Sequence, residues 1–378
     1  MNPVTPTRLQ VADKPLVSVV MSVFNGERFL RGAVESILNQ TFRDFEFIII
    51  DDGSTDATPY LLDRYAASDS RMRVFHQENR GLIQSLNRGC GLAQGKYIVR
   101  MDADDVAMPD RIVRQIDFLE KNPEVALLGG AIEGIDSRGR SLFVDRPALE
   151  DKKIRDGLYS NSFPLCHPAV VFRKEAFQAV QGYRSQFLHA EDIDLWLRIL
   201  ERWKAANLPD VVVRKRYHSD QVSGGKRRQQ VVSVLGARAA ALARRRDGID
   251  PTCQVPLVSE KVLKELGVGA DVLHQRLLSA YSYWIGIMLA ARQHATALRL
   301  VNELNELSAS EKTKRSTLSK AWLAAARTHY RQGRLFPALA SLGRGVLARP
   351  VIVALPAKRA LGRLARFAGM ILRSPFSR

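Results

Sequence analysis

The apolar positions of this chain change period repeatedly along its first half. Leu16 to Phe24 is a near-continuous apolar, β-branched run ending in Asn25-Gly26, which predicts a buried strand feeding a turn. Leu30, Val34, Ile37 and Leu38 then recur at helical spacing, and Phe45 to Ile50 forms a second apolar run that stops at Asp51-Asp52-Gly53-Ser54. Ser54 or Thr55 is placed to cap a helix carrying Leu61, Leu62 and Tyr65, with a short strand from Met72 to His76 after it. A helix from Leu82 to Ala93, a strand from Tyr97 to Met101, an acidic turn and a helix from Pro109 to Glu120 continue the alternation. Strands alternating with helices imply an α/β domain with a mostly parallel sheet. Ligands of such sheets bind beyond the carboxyl ends of the strands, where both acidic turns fall.

After a strand at Val125 to Gly129 the pattern loosens through Gly134, Gly139 and Pro147, then tightens at His167 to Phe172, predicting a strand and a helical stretch behind it. Glu191 to Leu200 puts Ile193, Leu197 and Leu200 on one helical face and its acids in the first turn, where a helix N-terminus favours negative charge. Asp210 to Tyr217 reads as a final strand. Ser223-Gly224-Gly225, followed by Lys226-Arg227-Arg228, reads as a linker. The expected organisation is therefore a tail over 1–14, an α/β domain over 15–225 and a basic α-helical region over 226–378. Within the last, Ala297-Leu298 and Ala338-Leu339 occupy similar contexts, a pattern that stacked tetratricopeptide-type hairpins and chance both produce.

Composition narrows the class. An apolar fraction of 46% over 378 residues supports a folded core. Cys90, Cys166 and Cys253 are widely spaced with no C-x-x-C, so a reducing, cytoplasmic setting is expected rather than a disulfide or zinc framework. The first fifteen residues hold no apolar stretch of signal-peptide type, and no run approaches the roughly 18–20 apolar residues of a spanning helix. The net charge of +18 calls for an acidic partner, and it sits at the end of the chain: Lys312 to Arg378 holds 15 Lys and Arg with no Asp or Glu. Arg344, Arg349, Lys358, Arg359, Arg363, Arg366 and Arg373 are interleaved with Leu, Val, Ile and Phe, which suits helices lying on an anionic membrane; a solvated basic face is the plainer alternative. No nucleic-acid-binding motif accompanies the charge, so no nucleic-acid partner is expected.

The acidic turns carry the candidate chemistry. Three carboxylates in Met101-Asp102-Ala103-Asp104-Asp105 repel one another, and a fold keeps them together where water or a cation neutralises them. Hard carboxylate oxygens suit Mg²⁺ or Mn²⁺; a solvated loop at the start of the next helix is the structural alternative. Asp51-Asp52-Gly53-Ser54 offers an acid at an earlier strand end, placed to accept hydrogen bonds from a base or ribose. There is no G-x-G-x-x-G and no G-x-x-x-x-G-K-[ST], which removes the dinucleotide and P-loop readings.

Taken in order, Val17-Ser-Val-Val-Met-Ser-Val-Phe-Asn25, Ser36-Ile-Leu-Asn-Gln-Thr-Phe42, Ile50-Asp-Asp-Gly-Ser-Thr-Asp56, Asn79-Arg-Gly81, Gly95-Lys-Tyr-Ile98 and Met101-Asp-Ala-Asp-Asp105 resemble the family 2 glycosyltransferases with the A-type nucleotide-sugar fold, over about Pro15 to Ser223. The resemblance implies a hexosyl-transferring enzyme in which Ser22, Phe24 and Asp52 surround the base and ribose of the donor, Asn79 and Gly81 line the donor site, and Asp102 and Asp104 form the D-x-D motif that holds Mn²⁺ or Mg²⁺ and the donor diphosphate. Glu191-Asp192 resembles the family's E-D motif, which gives Asp192 the role of general base and sets Glu191 near the acceptor. His218, in Tyr217-His-Ser-Asp-Gln-Val-Ser223, is a candidate further metal ligand, and His167 a candidate acceptor residue, with a structural role as its alternative.

Direct displacement at an anomeric carbon needs a base for the acceptor hydroxyl and a cation for the departing diphosphate, and a single displacement inverts the centre. No Q-x-x-R-W motif follows the E-D helix. The expectation is thus a single-addition, inverting enzyme, using a UDP-sugar by family habit. It would act on glycan or lipid-linked acceptors of bacterial lipopolysaccharide or other surface polysaccharide, peripherally on the inner face of the cell membrane. The competing readings are a nucleotidyltransferase of related fold, which lacks here its glycine-rich and basic triphosphate loop, and a non-catalytic scaffold at the membrane surface.

Overall fold

The computed structural model describes residues 14–160, 162–219 and 226–307. In chain order the elements are β1 (Val17–Val23), α1 (Glu27–Leu38), β2 (Phe45–Asp51), α2 (Thr58–Ser68), β3 (Met72–His76), α3 (Leu82–Leu92), β4 (Tyr97–Asp102), β5 (Val106–Ala107), α4 (Arg111–Lys121), β6 (Val125–Asp136), β7 (Ser141–Asp145), α5 (Asp151–Tyr159), a 3-10 turn (His167–Ala169), β8 (Val171–Arg173), α6 (Lys174–Ala179), α7 (Glu191–Ile199), β9 (Lys204–Tyr217), α8 (Arg227–Asp247), α9 (Glu260–Glu265), α10 (Ala270–Ala290) and α11 (His294–Leu307). The chain divides into two units, one of residues 1–216 with 228–269 and one of residues 217–227 with 270–378.

The strands of the first unit form one sheet in the order β3-β2-β1-β4-β8-β6-β9-β5, with β7 paired to β6. The part that follows the β/α alternation is parallel: β1 lies between β2 and β4, and β3 borders β2. Beyond β4 the sheet continues with antiparallel pairs, β4 to β8 and β8 to β6, and β5 pairs antiparallel with β9. The register of the parallel part sets Ser22 opposite Ile50 on one side and Asp102 on the other, so the two acidic turns flank the end of β1. Val17, Val19, Met21, Phe47, Ile49, Val99 and Met101 lie in the buried core together with Leu30, Val34 and Ile37 of α1 and Ile112, Ile116 and Leu119 of α4.

Three details differ from the sequence reading. The cap position of α2 is neither Ser54 nor Thr55 but Ala57, which has no capping side chain; the Thr58 amide donates instead to Asp56 Oδ1 at 2.9 Å, while Ser54 Oγ accepts from the Asn25 amide at 2.9 Å and so ties the turn to the loop after β1. The run His167 to Phe172 splits into the 3-10 turn and the short β8, because Pro168 cannot donate to a ladder. The loosened stretch around Gly134 is the hairpin β6–β7, bulged at Gly134/Ile135. Its glycines mask the strand pattern, yet close packing requires them: a Cβ on Gly129 would meet Asn207 Oδ1 at 2.2 Å and one on Gly134 the Phe143 ring at 2.6 Å.

Buried polar groups fasten the helices to the sheet. Gln40 Nε2 donates to Ser36 O and Met108 O while its Oε1 accepts from the Ile112 amide, joining α1 to the start of α4. The Arg173 guanidinium donates to Val125 O, Leu119 O and the Tyr97 hydroxyl. At the amino ends of the strands, Ser18 Oγ donates to Glu46 Oε1 and accepts from the Gly95 amide, and Glu46 also takes the Gln94 amide and the Arg73 guanidinium. Helix α8 belongs to this unit too, with Arg238 Nε donating to Leu158 O at 2.6 Å.

In the second unit α10 and α11 form a helical hairpin with Leu277, Tyr281, Ile285, Met288, Leu300, Val301 and Leu304 buried. The Arg227 guanidinium lies 4.3 Å from the Trp284 ring centre, and Tyr217 packs edge-on against the same indole. No described helix is long and apolar enough to cross a membrane. Ala297-Leu298 falls in α11. The linker at 223–225, Ala338-Leu339 and the basic run from Lys312 onward lie outside the described residues.

Gly95 shows how tightly the amino edge is packed: a Cβ there would lie 2.6 Å from the Ser18 amide nitrogen and 2.7 Å from the Val17 carbonyl carbon, both backbone atoms of a central strand. Gly95→Ala is expected to cost about 1–3 kcal/mol, read as a lowered Tm in thermal unfolding. Gly91→Ala, on an open helical face with nothing within 4 Å, should leave Tm unchanged or raise it.

Candidate active site

The Asp51–Ser54 turn spends one acid on the fold and one on a loop. Asp51 is buried, its Oδ2 2.7 Å from His76 Nδ1 and its Oδ1 accepting the Ser54 amide, which pins β2 to β3 and closes the turn. The neighbouring ions hold the His76 imidazolium above its ordinary range against a desolvation that pulls the other way. Asp52 is also buried, and its carboxylate faces the segment 77–81: Oδ1 accepts from Gln77 Nε2 at 2.7 Å and the Arg80 amide at 2.8 Å, and Oδ2 from the Gly81 amide at 2.9 Å. Gly53 has φ +78°, and a Cβ there would stand 2.7 Å from the Asn79 amide nitrogen, so only glycine lets the two loops lie against each other. Ser22 is half-buried at the end of β1, Asn79 is exposed on its loop, and Phe24 shows 52% of its surface. Asp52 and the loop of Asn79 and Gly81 are thereby brought together, and Ser22 lies in register with Ile50, two residues before Asp52.

The second turn gathers Asp102, Asp104 and Asp105, with one carboxylate oxygen from each lying within 4.8 Å of the others. Asp105 is the deepest. Its Oδ1 accepts from the Arg216 amide at 2.7 Å, whereas its buried Oδ2 has no hydrogen-bond partner among the described residues. Burial, then the charges of Asp104 and Asp102, push its carboxyl well above the usual range. Asp102 and Asp104 are partly exposed. A cluster of hard oxygen donors with an orphaned buried oxygen fits a Mg²⁺ or Mn²⁺ ion better than it fits water alone, and Asp102 and Asp104 are the residues that would hold it.

A buried cation underlies this turn. Arg100, inside β4, is 2% exposed and donates through Nη1 to Asp102 Oδ1. The sequence carries one signal for it, a charged residue in the otherwise apolar run Tyr97 to Met101, which strand periodicity alone does not explain. Arg111, also fully buried, donates to Arg100 O, Val170 O, Gln115 Oε1 and Met101 Sδ, fixing the backbone beneath the acids.

Helix α7 presents the remaining acids. Asp194 is completely buried between Arg184 and Arg198, and the Arg198 guanidinium continues to the carbonyls of Val180 and Gly182, so this acid anchors the helix. Glu191 and Asp192, in the same first turn, have no guanidinium bonded to them among the described residues. Burial, reinforced by the charge of Asp192, pushes the Glu191 carboxyl up to about 8, so it is a neutral acid near pH 7. Burial also raises Asp192, but its own helix amide at Ile193, Lys215 and Arg100 pull it back, so of the pair Asp192 is the one that ionises first.

Cys166 and His167 share this neighbourhood. The Cys166 thiol is pushed up to about 11, by burial first and by the charges of Asp105, Asp102 and Asp192, against the pull of Lys215. His167 Nε2 lies 2.8 Å from the Tyr183 hydroxyl, and its ring packs edge-on against Tyr183 and Trp196. Desolvation and the nearby Arg100 and Lys215 charges hold His167 well below its ordinary range, leaving a neutral, oriented imidazole. Trp196 is fully buried packing. His218 follows β9, is buried and belongs to the second unit. Arg100, Tyr183 and Lys215, which no motif marked, complete the charge and hydrogen-bond pattern around the acids.

Residues 18–181 match the family described as Glycosyl transferase family 2. EpsE of Bacillus subtilis, named as a glycosyltransferase, is 35% identical over 228 residues, covering 59% of this chain and 80% of the relative. The amylovoran biosynthesis glycosyltransferase AmsE of Erwinia amylovora is 33% identical over 212 residues, covering 55% of this chain and 79% of the relative. Among solved structures, the mannosyltransferase PcManGT of Pyrobaculum calidifontis, in complex with GDP-mannose and Mn²⁺, shares the fold with a TM-score of 0.50 at 18% identity, over 89% of each chain. Sequence identity of this extent over most of each relative's length, on a sheet whose strand ends gather these acids, places the chain in glycosyltransferase family 2.

Proposed function

We propose that this glycosyltransferase moves a sugar from a nucleotide-sugar donor, with a UDP-sugar as first expectation, to an acceptor hydroxyl by metal-dependent single displacement with inversion. The observation that carries the reading is the pairing of two unlike acid centres in one unit: the Asp102, Asp104 and Asp105 cluster at the end of β4, and the Glu191–Asp192 pair at the start of α7. A divalent ion, Mn²⁺ or Mg²⁺, on Asp102 and Asp104 would supply positive charge to the donor diphosphate. Asp52 orders the loop of Asn79 and Gly81 so that its backbone, with Ser22 and the exposed Phe24 ring, receives the nucleoside. Asp192 accepts the proton of the acceptor hydroxyl as its oxygen bonds to the anomeric carbon and the bond to the diphosphate oxygen breaks. Glu191, holding its proton near pH 7, and the neutral His167 are suited to hydrogen-bond the acceptor without competing for that proton.

The relatives direct the choice of acceptor. AmsE is named for amylovoran biosynthesis, and an acceptor that is a growing or lipid-linked glycan of a surface polysaccharide is the corresponding proposal here. The absence of Asp and Glu among the 15 cationic residues of Lys312 to Arg378 supports a peripheral position on an anionic membrane, at its cytoplasmic face.

Three measurements test this reading. Binding and slow hydrolysis of UDP-, dTDP- and GDP-sugars, with Mn²⁺, Mg²⁺ or chelator, should select one donor in a metal-dependent way. Asp104→Ala should lose that selection, and equal activity in chelator would remove the metal from the mechanism. Asp192→Asn should keep donor binding while transfer falls about 10²–10⁴-fold; full transfer by this variant would remove Asp192 as base. Because burial raises Asp192, the rate should fall on acidification through a pKa above the ordinary aspartate value of about 3.9, read from a pH profile of kcat/KM.

A further inference from the structure

The turn after β2 is braced by one histidine. His76 closes the edge strand β3 and stands in register with Asp51, the last residue of β2. Its Nδ1 lies 2.7 Å from Asp51 Oδ2 and its Nε2 3.0 Å from Asp63 Oδ1 of α2, so one ring bridges a strand end and a helix. A neutral imidazole carries a single N–H and can donate to only one of these oxygens; with a carboxylate at each nitrogen, the ring is an imidazolium. The two acids differ in what they lose without it. Asp63 is 68% exposed and can turn to water, whereas Asp51 is 2% exposed and its Oδ2 has no other hydrogen-bond partner among the described residues. The next residue on each strand builds the segment 77–81. The Gln77 amide donates to Asp51 O at 3.0 Å, and Gln77 Nε2 donates to Asp52 Oδ1 at 2.7 Å and to Ser85 Oγ at 2.9 Å. The bridge therefore sits at the root of the segment whose Arg80 and Gly81 amides close on Asp52.

We propose that His76 is a positioning residue for donor binding: as an imidazolium bridging Asp51 and Asp63 it fixes the segment 77–81 in the arrangement that receives the nucleoside, so the donor and the proton on His76 bind cooperatively. The inference rests on the reading of that segment as part of the donor site. The charges that bear on the ring are Asp51 from β2 and Asp63 from α2. The other ionic groups of these elements are engaged elsewhere: Glu46 with Ser18 and Arg73, Arg64 over the Tyr60 ring, and the Tyr65 hydroxyl with Glu35. Arg73 and Arg88 both lie over the Phe75 ring, which leaves β3 on the face opposite His76. Desolvation pulls the ring toward neutrality, and the bonds and charges of Asp51 and Asp63 hold it above its ordinary value of about 6.5. A histidine raised in this way gives its support in full below the ordinary value and loses it as pH rises through the raised one. Above that point a single N–H remains, one of the two acids is released, and the charge opposite buried Asp51 is gone. The end of β2 and Gln77 beside it then lose their brace to α2. Donor affinity falls in the same interval, and by reciprocity a bound donor holds the proton on His76 more tightly by the same factor.

The experiment uses the full chain with Mg²⁺. Calorimetric titration with UDP-glucose, UDP-N-acetylglucosamine and GDP-mannose selects the donor that binds tightest, and its Kd is then measured over about pH 6–8.5, where the diphosphate diester of these donors does not titrate. In parallel the ring proton of His76 is followed by NMR with and without that donor, its signal identified by its loss in His76→Gln. The midpoint of the free protein should lie above about 6.5 and rise by about one pH unit when donor is bound. His76→Gln should bind the donor about tenfold more weakly than the native chain at the acid end and converge on it at the alkaline end. Asp63→Asn, which removes the exposed partner alone, should lower the midpoint and move the loss of affinity to lower pH with it. Equal midpoints with and without donor, a ratio of Kd values that does not change with pH, or a free midpoint at or below the ordinary value would each overturn the proposal. If His76→Gln does not fold, Asp63→Asn identifies the signal by displacing it, and the two native titrations decide between the same outcomes. A native chain that binds none of the three donors removes the donor reading and this proposal with it, whereas a bound donor beside an unmoved midpoint removes only the role of His76.

Discussion

Repulsion among carboxylates is the constraint around which the first unit is arranged. Parallel strands deliver Asp51, Asp52, Asp102, Asp104 and Asp105 to the same edge of the sheet, and the first turn of α7 adds Glu191 and Asp192. Unrelieved, such a gathering disperses or takes up protons. The protein relieves it unevenly. Asp51 and Asp52 are satisfied by an imidazole, a carboxamide and loop amides. Asp102 shares a buried guanidinium, Asp105 keeps an unpartnered oxygen, and Glu191 retains its proton to about 8. The incomplete relief is concentrated where the proposed metal, diphosphate and proton would be handled, as expected of a site that functions by accepting charge.

Holding acids in this state demands a rigid frame, and buried arginines and amides provide it. Arg111 and Arg173 carry no carboxylate and instead bridge backbone carbonyls across β4, β6, β8 and α4. Burial pulls Arg111 down to about 9, which still leaves a cation at neutral pH. Asp194 with Arg184 and Arg198 does the same for α7, locking the helix whose first turn bears the proposed base. Asp192 and Asp194 are two residues apart and chemically identical. One is committed to structure and the other is left available, because only Asp194 points into the guanidinium pair.

Much of this was legible in the chain. The strands from β1 to β4 and helices α1 to α4 follow directly from runs such as Val17 to Val23 and from helical spacing such as Leu30, Val34 and Ile37, since a buried parallel strand and an amphipathic helix have distinct periods. The acid turns were visible as charge at the ends of apolar runs. The hairpin β6–β7 was not, because its glycines are dictated by Asn207 and Phe143, residues far away or across a hairpin that no local window contains. The start of α2 is hidden by the same limit: Ser54 is claimed by the Asn25 amide, a partner in the loop after β1.

The sequence by itself determined the α/β alternation, the location of the acid turns and the kinship that the motifs carry, because each is encoded in neighbouring residues. Only the tertiary structure decided which acids are spent and which are available. It set Asp52 on the loop amides, Arg100 beneath Asp102 and Tyr183 against His167. The physical reason is that a carboxylate's protonation and its freedom to react depend on desolvation and on charges a few ångströms away, and those neighbours come from chain segments that are distant in sequence.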